Sequence, residues 1–185
     1  MIDKRVPDFD AALAGMADGA TIMSSGFGAA GAPHDLLEAV LEHGWRDLVI
    51  ISNNAGEGER GLIRLIGERR VAKVICSFPT SSNSEIIRGQ YFANQIELEI
   101  VPQGTLSERM RAGGSGIGGF YTRTSVGTPL AEGRKCGVST ARIMFSSYRC
   151  ARISPSSQPD RPTAGATSST TNRRAISAPP WPWRR

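Results

Sequence analysis

Apolar residues in the first 130 positions fall into short blocks that alternate between two periods. Residues 20–23 read as a first buried strand, 48–51 as a continuous apolar run of the kind found in strands covered on both faces and 71–76 as the next strand, and residues 96–101 alternate as a strand. Helical spacing lies between them. Leu36, Leu37, Val40 and Leu41 share one face of a helix that Pro33 opens, since its missing N–H is an orphan there anyway, and that Gly44 closes. Leu62, Ile63, Leu65 and Ile66 mark the next helix. Residues 85–94 follow an N-cap region at 81–84, residues 106–111 form a last short helix, and residues 9–16 form a first one that stops at Asp18-Gly19. Strands alternating with helices predict the α/β class: an open, mostly parallel sheet with helices on both faces and right-handed crossovers.

Such a sheet binds ligands at the carboxyl ends of its strands. Three turns fall there: residues 25–33, 52–56 and 101–105. A glycine-rich run at 113–119 follows, suited either to lying against a ligand or to serving as a flexible connector.

Charge divides the chain. The net charge is +5, yet residues 1–133 hold 12 Lys and Arg against 16 Asp and Glu, a net of −4, while residues 134–185 hold 10 Lys and Arg against Asp160 alone, a net of +9. The basicity that would suggest a nucleic-acid partner therefore belongs to the tail alone, where nine serines and six prolines lack any sustained apolar period. Two regions are expected: a domain over 1–133 and a disordered basic tail over 134–185. Cys76, Cys136 and Cys150 lack metal-ligand spacing, and no charged-then-apolar leader opens the chain, so a cytoplasmic protein is expected. No run is long enough to span a membrane.

The turns carry the chemistry. Gly26-x-Gly28-x-x-Gly31 matches the dinucleotide fingerprint, in which bare backbone meets a pyrophosphate at a helix start. The second strand ends in Ser52-Asn53-Asn54 instead of the acid that would hold a ribose hydroxyl, which argues against a nicotinamide enzyme. Asn53, Asn54 and Gln103 are amides whose NH₂ groups suit an oxygen that turns negative during acyl transfer, though a lone Asn more often ties a turn. Phe27 and Phe120 are placed to flank an acyl or pantetheine chain, against the commoner role of core contact. His34 reads as a solvated first-turn residue and Cys76 as a buried structural thiol. No nucleophile elbow, Walker loop or paired His cluster occurs. The residues describe an oxyanion site that lacks its own nucleophile.

Gly26-Phe27 with Gly31 and Pro33, then Ser52-Asn53-Asn54-Ala55-Gly56, then Val101-Pro102-Gln103-Gly104-Thr105-Leu106 with Glu108-Arg109, then Arg111-Ala112-Gly113-Gly114 with Gly116, then Phe120-Tyr121-Thr122 with Gly127-Thr128 and Ala131-Glu132-Gly133, run in unbroken order over 1–133. Together they resemble the alpha subunit of the 3-oxoacid CoA-transferases. Residues 52–58 and Cys76-Ser77-Phe78-Pro79 look most like the 3-oxoadipate (β-ketoadipate) branch.

The resemblance implies a CoA-transferase (NagB/RpiA-like) fold, cut short at its carboxyl end, and a two-chain enzyme that moves CoA from succinyl-CoA to a 3-oxoacid in aromatic-compound catabolism. Coenzyme A thioester enters as substrate, with no permanently bound cofactor, metal, nucleic acid or membrane. A glutamate in a Glu-Asn-Gly motif of the beta chain attacks the thioester, forms an anhydride and then carries CoA as a glutamyl thioester. No Glu-Asn-Gly occurs here, which agrees with the missing nucleophile. By the same resemblance Ser25, Gly26, Phe27, Gly28, Ala29, Ala30 and Gly31 form the CoA-binding turn, and Gln103 with Asn53 or Asn54 lines the acyl and oxyanion site. The partner is the beta subunit, in a heterodimer or heterotetramer. The alternatives are a catalytically dead truncated subunit or one specific for acetoacetate.

Two departures from the family pattern matter. Ser25 stands where the family has glycine, which suits the turn only if residue 25 avoids positive φ. The tail differs completely. Read one base out of step, and with A as the free third base, the codons required by Pro180-Trp181-Pro182-Trp183-Arg184 give Met-Ala-Met-Ala, and those behind 139–153 permit a string that resembles the family's usual carboxyl-terminal part. From about Cys136 the chain is accordingly expected to be translated out of frame.

Overall fold

The computed structural model describes residues 5–80, 84–134, 136–139 and 142–148. Four strands, β1 (Thr21–Met23), β2 (Leu48–Asn54), β3 (Val71–Phe78) and β4 (Glu97–Ile100), form a parallel sheet in the order β1-β2-β3-β4. The register places Met23 beside Ile51, Ile51 beside Ile75, and Ile75 beside Glu99.

Alternation along the strands feeds two cores. Leu48, Ile50, Val74 and Cys76 face α1 (Phe9–Leu13), α2 (His34–His43), α3 (Leu62–Gly67) and α4 (Ser84–Phe92), joining Leu13, Leu37, Val40, Leu65, Ile66 and Ile87 in the main cluster. Ile51 and Ile75 point the other way, against Val101 and Leu106. That second face is covered by α5 (Gln103–Gly114), so helices do lie on both faces of the sheet. A strand sequence with one residue serving each core must be apolar throughout, which explains the continuous runs.

Local chemistry sets the ends. The Asp8 side chain accepts from Ala11 N at 2.7 Å and caps α1. Pro33 takes the N-cap of α2, one position ahead of the helical start assigned to it, and the Gly44 N–H closes the helix on Leu41 O. Glu38 on α2 accepts from Gly61 N at 2.8 Å and from Arg64 at 2.5 Å, which fastens the start of α3. Buried Gln90 donates to Ile66 O at 2.5 Å and ties α4 to α3.

Several elements differ from the sequence reading. Ser52, Asn53 and Asn54 are still strand, with Asn54 paired beside Phe78. α5 begins at Gln103 and takes in Gly113 and Gly114, while Gly119 opens β5 (Gly119–Thr122), so the supposed glycine connector shrinks to 115–118. A 3₁₀ turn follows at Pro129–Ala131. Beyond Gly133, where no element was expected, β6 (Cys136–Ser139) and β7 (Arg142–Tyr148) form an antiparallel sheet with β5 in the order β5-β7-β6. The N-cap region at 81–83 and the tail beyond 148 lie outside the described residues. Among the described residues, no helix is long and apolar enough to cross a membrane.

Candidate functional site

The turn after β1 is a tight backbone loop. Phe27 N donates to Ala30 O at 2.9 Å and Ala30 N donates back to Phe27 O at 3.2 Å, leaving Gly28 and Ala29 at the tip. Gly28 has φ +63°, so its conformation calls for glycine, while the one close neighbour of a Cβ there, Glu57 Oε2, ends a flexible side chain that can swing aside. Ser25 meets the condition set for it: positive φ falls on Gly26, Gly28 and Gly31 and not on residue 25. Its Oγ donates to Gly31 O at 2.9 Å and closes the loop from within.

The end of β2 docks onto this loop. Asn54, 7% exposed, donates through Nδ2 to Gly28 O at 3.3 Å and accepts from Gly56 N through Oδ1 at 2.9 Å. At Gly56, with φ +92°, a Cβ would lie 2.6 Å from Ile63 N, so this turn packs directly on the start of α3. The Ser52 hydroxyl donates to Asn54 O and stiffens the same corner. Asn54 therefore binds the two turns together with both ends of its amide.

Asn53 is one residue away and on the opposite side of the strand. Its Oδ1 accepts from Ser77 Oγ at 2.8 Å, which orients the half-buried amide. Alternation puts it on the face of Ile51, the face covered by α5. Gln103 is the exposed first residue of that helix. The structure thus groups Asn53 and Gln103 on one side of the sheet's carboxyl edge and sends Asn54 to the other.

Between the two turns runs a cleft of about 240 Å³, open to solvent, lined by Ser25, Gly28, His34, Asn54, Glu57 and Arg60 among others. Glu57, Arg60 and His34 were not singled out as cleft residues in the sequence. His34 is half-buried, with Nε2 at 3.2 Å from Ala29 O and a buried Nδ1 that has no partner, so it braces the glycine turn where a solvated residue was expected. The carbonyl can only accept, so the proton sits on Nε2. Arg60 pairs with Asp35 at 2.8 Å, both largely exposed. No motif flags a lone Glu, Arg or His as a cleft residue. Phe27, given the core as its commoner role, is instead 75% exposed and projects from the turn.

Cys76 is fully buried, and burial pushes its thiol up to about 12, only partly offset by a backbone hydrogen bond at Phe78. It is no nucleophile at neutral pH. On the α5 side, burial works to raise Glu99, but the hydrogen bond and charge of Arg109 at 2.6 Å, then those of Lys73 at 3.2 Å, outweigh it and hold the carboxyl below its ordinary range.

An open parallel sheet whose carboxyl edge carries a glycine turn and three amides defines an α/β protein of the kind that binds ligands at that edge. The Coenzyme A transferase family profile matches residues 6–159, and the chain belongs to that family. It is 51% identical over 135 residues to the A-type subunit of the 3-oxoadipate CoA-transferase of Pseudomonas putida, covering 73% of this chain and 58% of that one. It is 47% identical over 133 residues to the A-type subunit of the succinyl-CoA:3-ketoacid coenzyme A transferase of Xanthomonas campestris pv. campestris, covering 71% and 54%. The chain thus spans just over half the length of these relatives. The acyl-CoA transferase YdiF of Escherichia coli O157:H7 shares the fold with a TM-score of 0.64 at 22% identity, over 78% of this chain and 32% of that one.

Proposed function

We propose that the chain is the A-type member of a two-chain CoA-transferase that carries CoA from succinyl-CoA to a 3-oxoacid, with 3-oxoadipate as acceptor. The carrying observation is the joining of the glycine turn to the end of β2 by Asn54, beside Asn53, in a member of the Coenzyme A transferase family. The name of the Pseudomonas putida relative supports 3-oxoadipate, and that relative's being one subunit of its enzyme supports a second chain.

In this reading residues 25–31 offer backbone to the thioester substrate, and exposed Phe27 lies along its acyl or pantetheine arm. Asn53 and Gln103 donate to the thioester oxygen as it becomes negative, a role in which one donor is worth roughly 10²–10³ in kcat. Asn54 holds the geometry in which those groups act. The glutamate that attacks comes from the beta subunit. The cleft is open to solvent, as expected of a site that a second chain completes.

The test is co-expression with the beta subunit of a relative, followed by transfer assays from succinyl-CoA to 3-oxoadipate and to acetoacetate. Transfer is expected only when both chains are present, and faster to 3-oxoadipate. Turnover by this chain alone, or no transfer by an assembled pair, overturns the proposal. Preference for acetoacetate would select the 3-ketoacid reading that the Xanthomonas relative's name favours.

A further inference from the structure

A second, solvent-open pocket, with lining residues distinct from those of the cleft, lies at the carboxyl end of β4 and the entrance of α5. Its polar lining is Thr105, Arg109, Ser125 and Arg134, with no acidic residue among the lining groups. We propose that it is an oxyanion site, holding one carboxylate or phosphate group of a small ligand.

Three observations converge. α5 has 12 residues and starts behind Pro102, which supplies no side-chain cap, so its first-turn amides present the positive end of the helix without the usual acceptor. Thr105 sits in that first turn, 4% exposed, and its Oγ1 is buried with no hydrogen-bond partner. An unmade buried bond is costly, and a native protein normally supplies the missing group. Arg109 and Arg134 line the same pocket, Arg134 donating through Nε to Leu130 O at 3.1 Å. Arg109 is ion-paired with Glu99 at 2.6 Å and brings its guanidinium charge to the pocket lining. Water would satisfy Thr105 alone. A ligand oxyanion answers the hydroxyl, the helix entrance and the positive charge of the lining together. Its lining shares no residue with the glycine-turn cleft, although Gln103, assigned above to the transfer step, opens the same helix.

The experiment titrates the full chain with inorganic phosphate and, separately, with succinate at constant ionic strength, following the thermal midpoint and, for phosphate, the ³¹P linewidth. At least one anion is expected to act saturably, and the tighter one identifies a phosphate-bearing or a carboxylate-bearing ligand. Thr105→Val and Arg134→Met should each weaken apparent affinity about tenfold or more, as expected for a hydrogen bond to a charged group. In anion-free buffer Thr105→Val should melt no lower than wild type, because it removes an unsatisfied hydroxyl, so this variant remains informative if Arg134→Met fails to fold. No saturable response to either anion overturns the proposal, as does a response that Thr105→Val leaves unchanged, which would be an adventitious ion only. A clear loss of stability in anion-free Thr105→Val overturns it too, since the hydroxyl would then already be satisfied.

Discussion

Replacing Asn54 by alanine separates a structural tie from an oxyanion donor. The native side chain makes two bonds, to Gly28 O at 3.3 Å and from Gly56 N at 2.9 Å, at a position only 7% exposed. At about 0.5–1.5 kcal/mol per bond, their loss should lower stability by about 1–3 kcal/mol. Asn53→Ala gives up one bond from Ser77 on a half-buried side chain and should cost about 1 kcal/mol or less. On the transfer step the order reverses. If Asn53 donates to the developing oxyanion, its loss lowers kcat by roughly 10²–10³, whereas the folded fraction of Asn54→Ala keeps most of its rate. Urea unfolding followed by far-UV circular dichroism gives the first quantity, and the two-chain transfer assay gives the second. A stable Asn54→Ala protein with a collapsed kcat would refute the division of labour drawn from the strand's alternation.

Gly28→Ala should cost about 1–2 kcal/mol for a non-glycine residue at φ +63°, with little added by the Glu57 carboxylate, which ends a flexible side chain. A Glu57→Ala background should show nearly the same penalty, and a penalty that disappears there, read from urea midpoints, would show that the side-chain contact and not the backbone sets the cost. Glu99 titrates below its ordinary value, so it adds stability above about pH 4.3 and loses it as pH falls through the lower folded value. Glu99→Gln should therefore be less stable than wild type at pH 7, with the gap closing in acid, and a gap independent of pH between 7 and 3 would contradict the ion pair.

The βα alternation was legible because β2 and β3 serve two cores at once, which forces continuous apolar runs such as residues 48–51, while α2 shows its buried stripe plainly. The polar end of β2 was read as a turn because Ser52, Asn53 and Asn54 carry no strand signal. Their ladder to β3 and their side-chain bonds override propensity. Gln103 was placed in a loop because Pro102 and Gly104 both discourage a helix, yet proline is tolerated at an N-cap and glycine in a first turn. The strands beyond Gly133 were missed because residues 136–148 mix serine and arginine with apolar positions in no sustained period. Glycine spacing pointed to the turn itself. His34, Glu57 and Arg60 gained meaning only when chain separated by some 30 residues came together at the cleft.

The strand order β1-β2-β3-β4 means that each strand joins the one made just before it. During synthesis the nascent chain can lay down this sheet in sequence as it leaves the ribosome, each new crossover docking on an edge already present. The glycine-turn cleft draws on nothing later than Leu62, whereas the second cavity needs Arg134. The first ligand surface can thus exist on a half-made polypeptide, while the second must await the chain's return past α5.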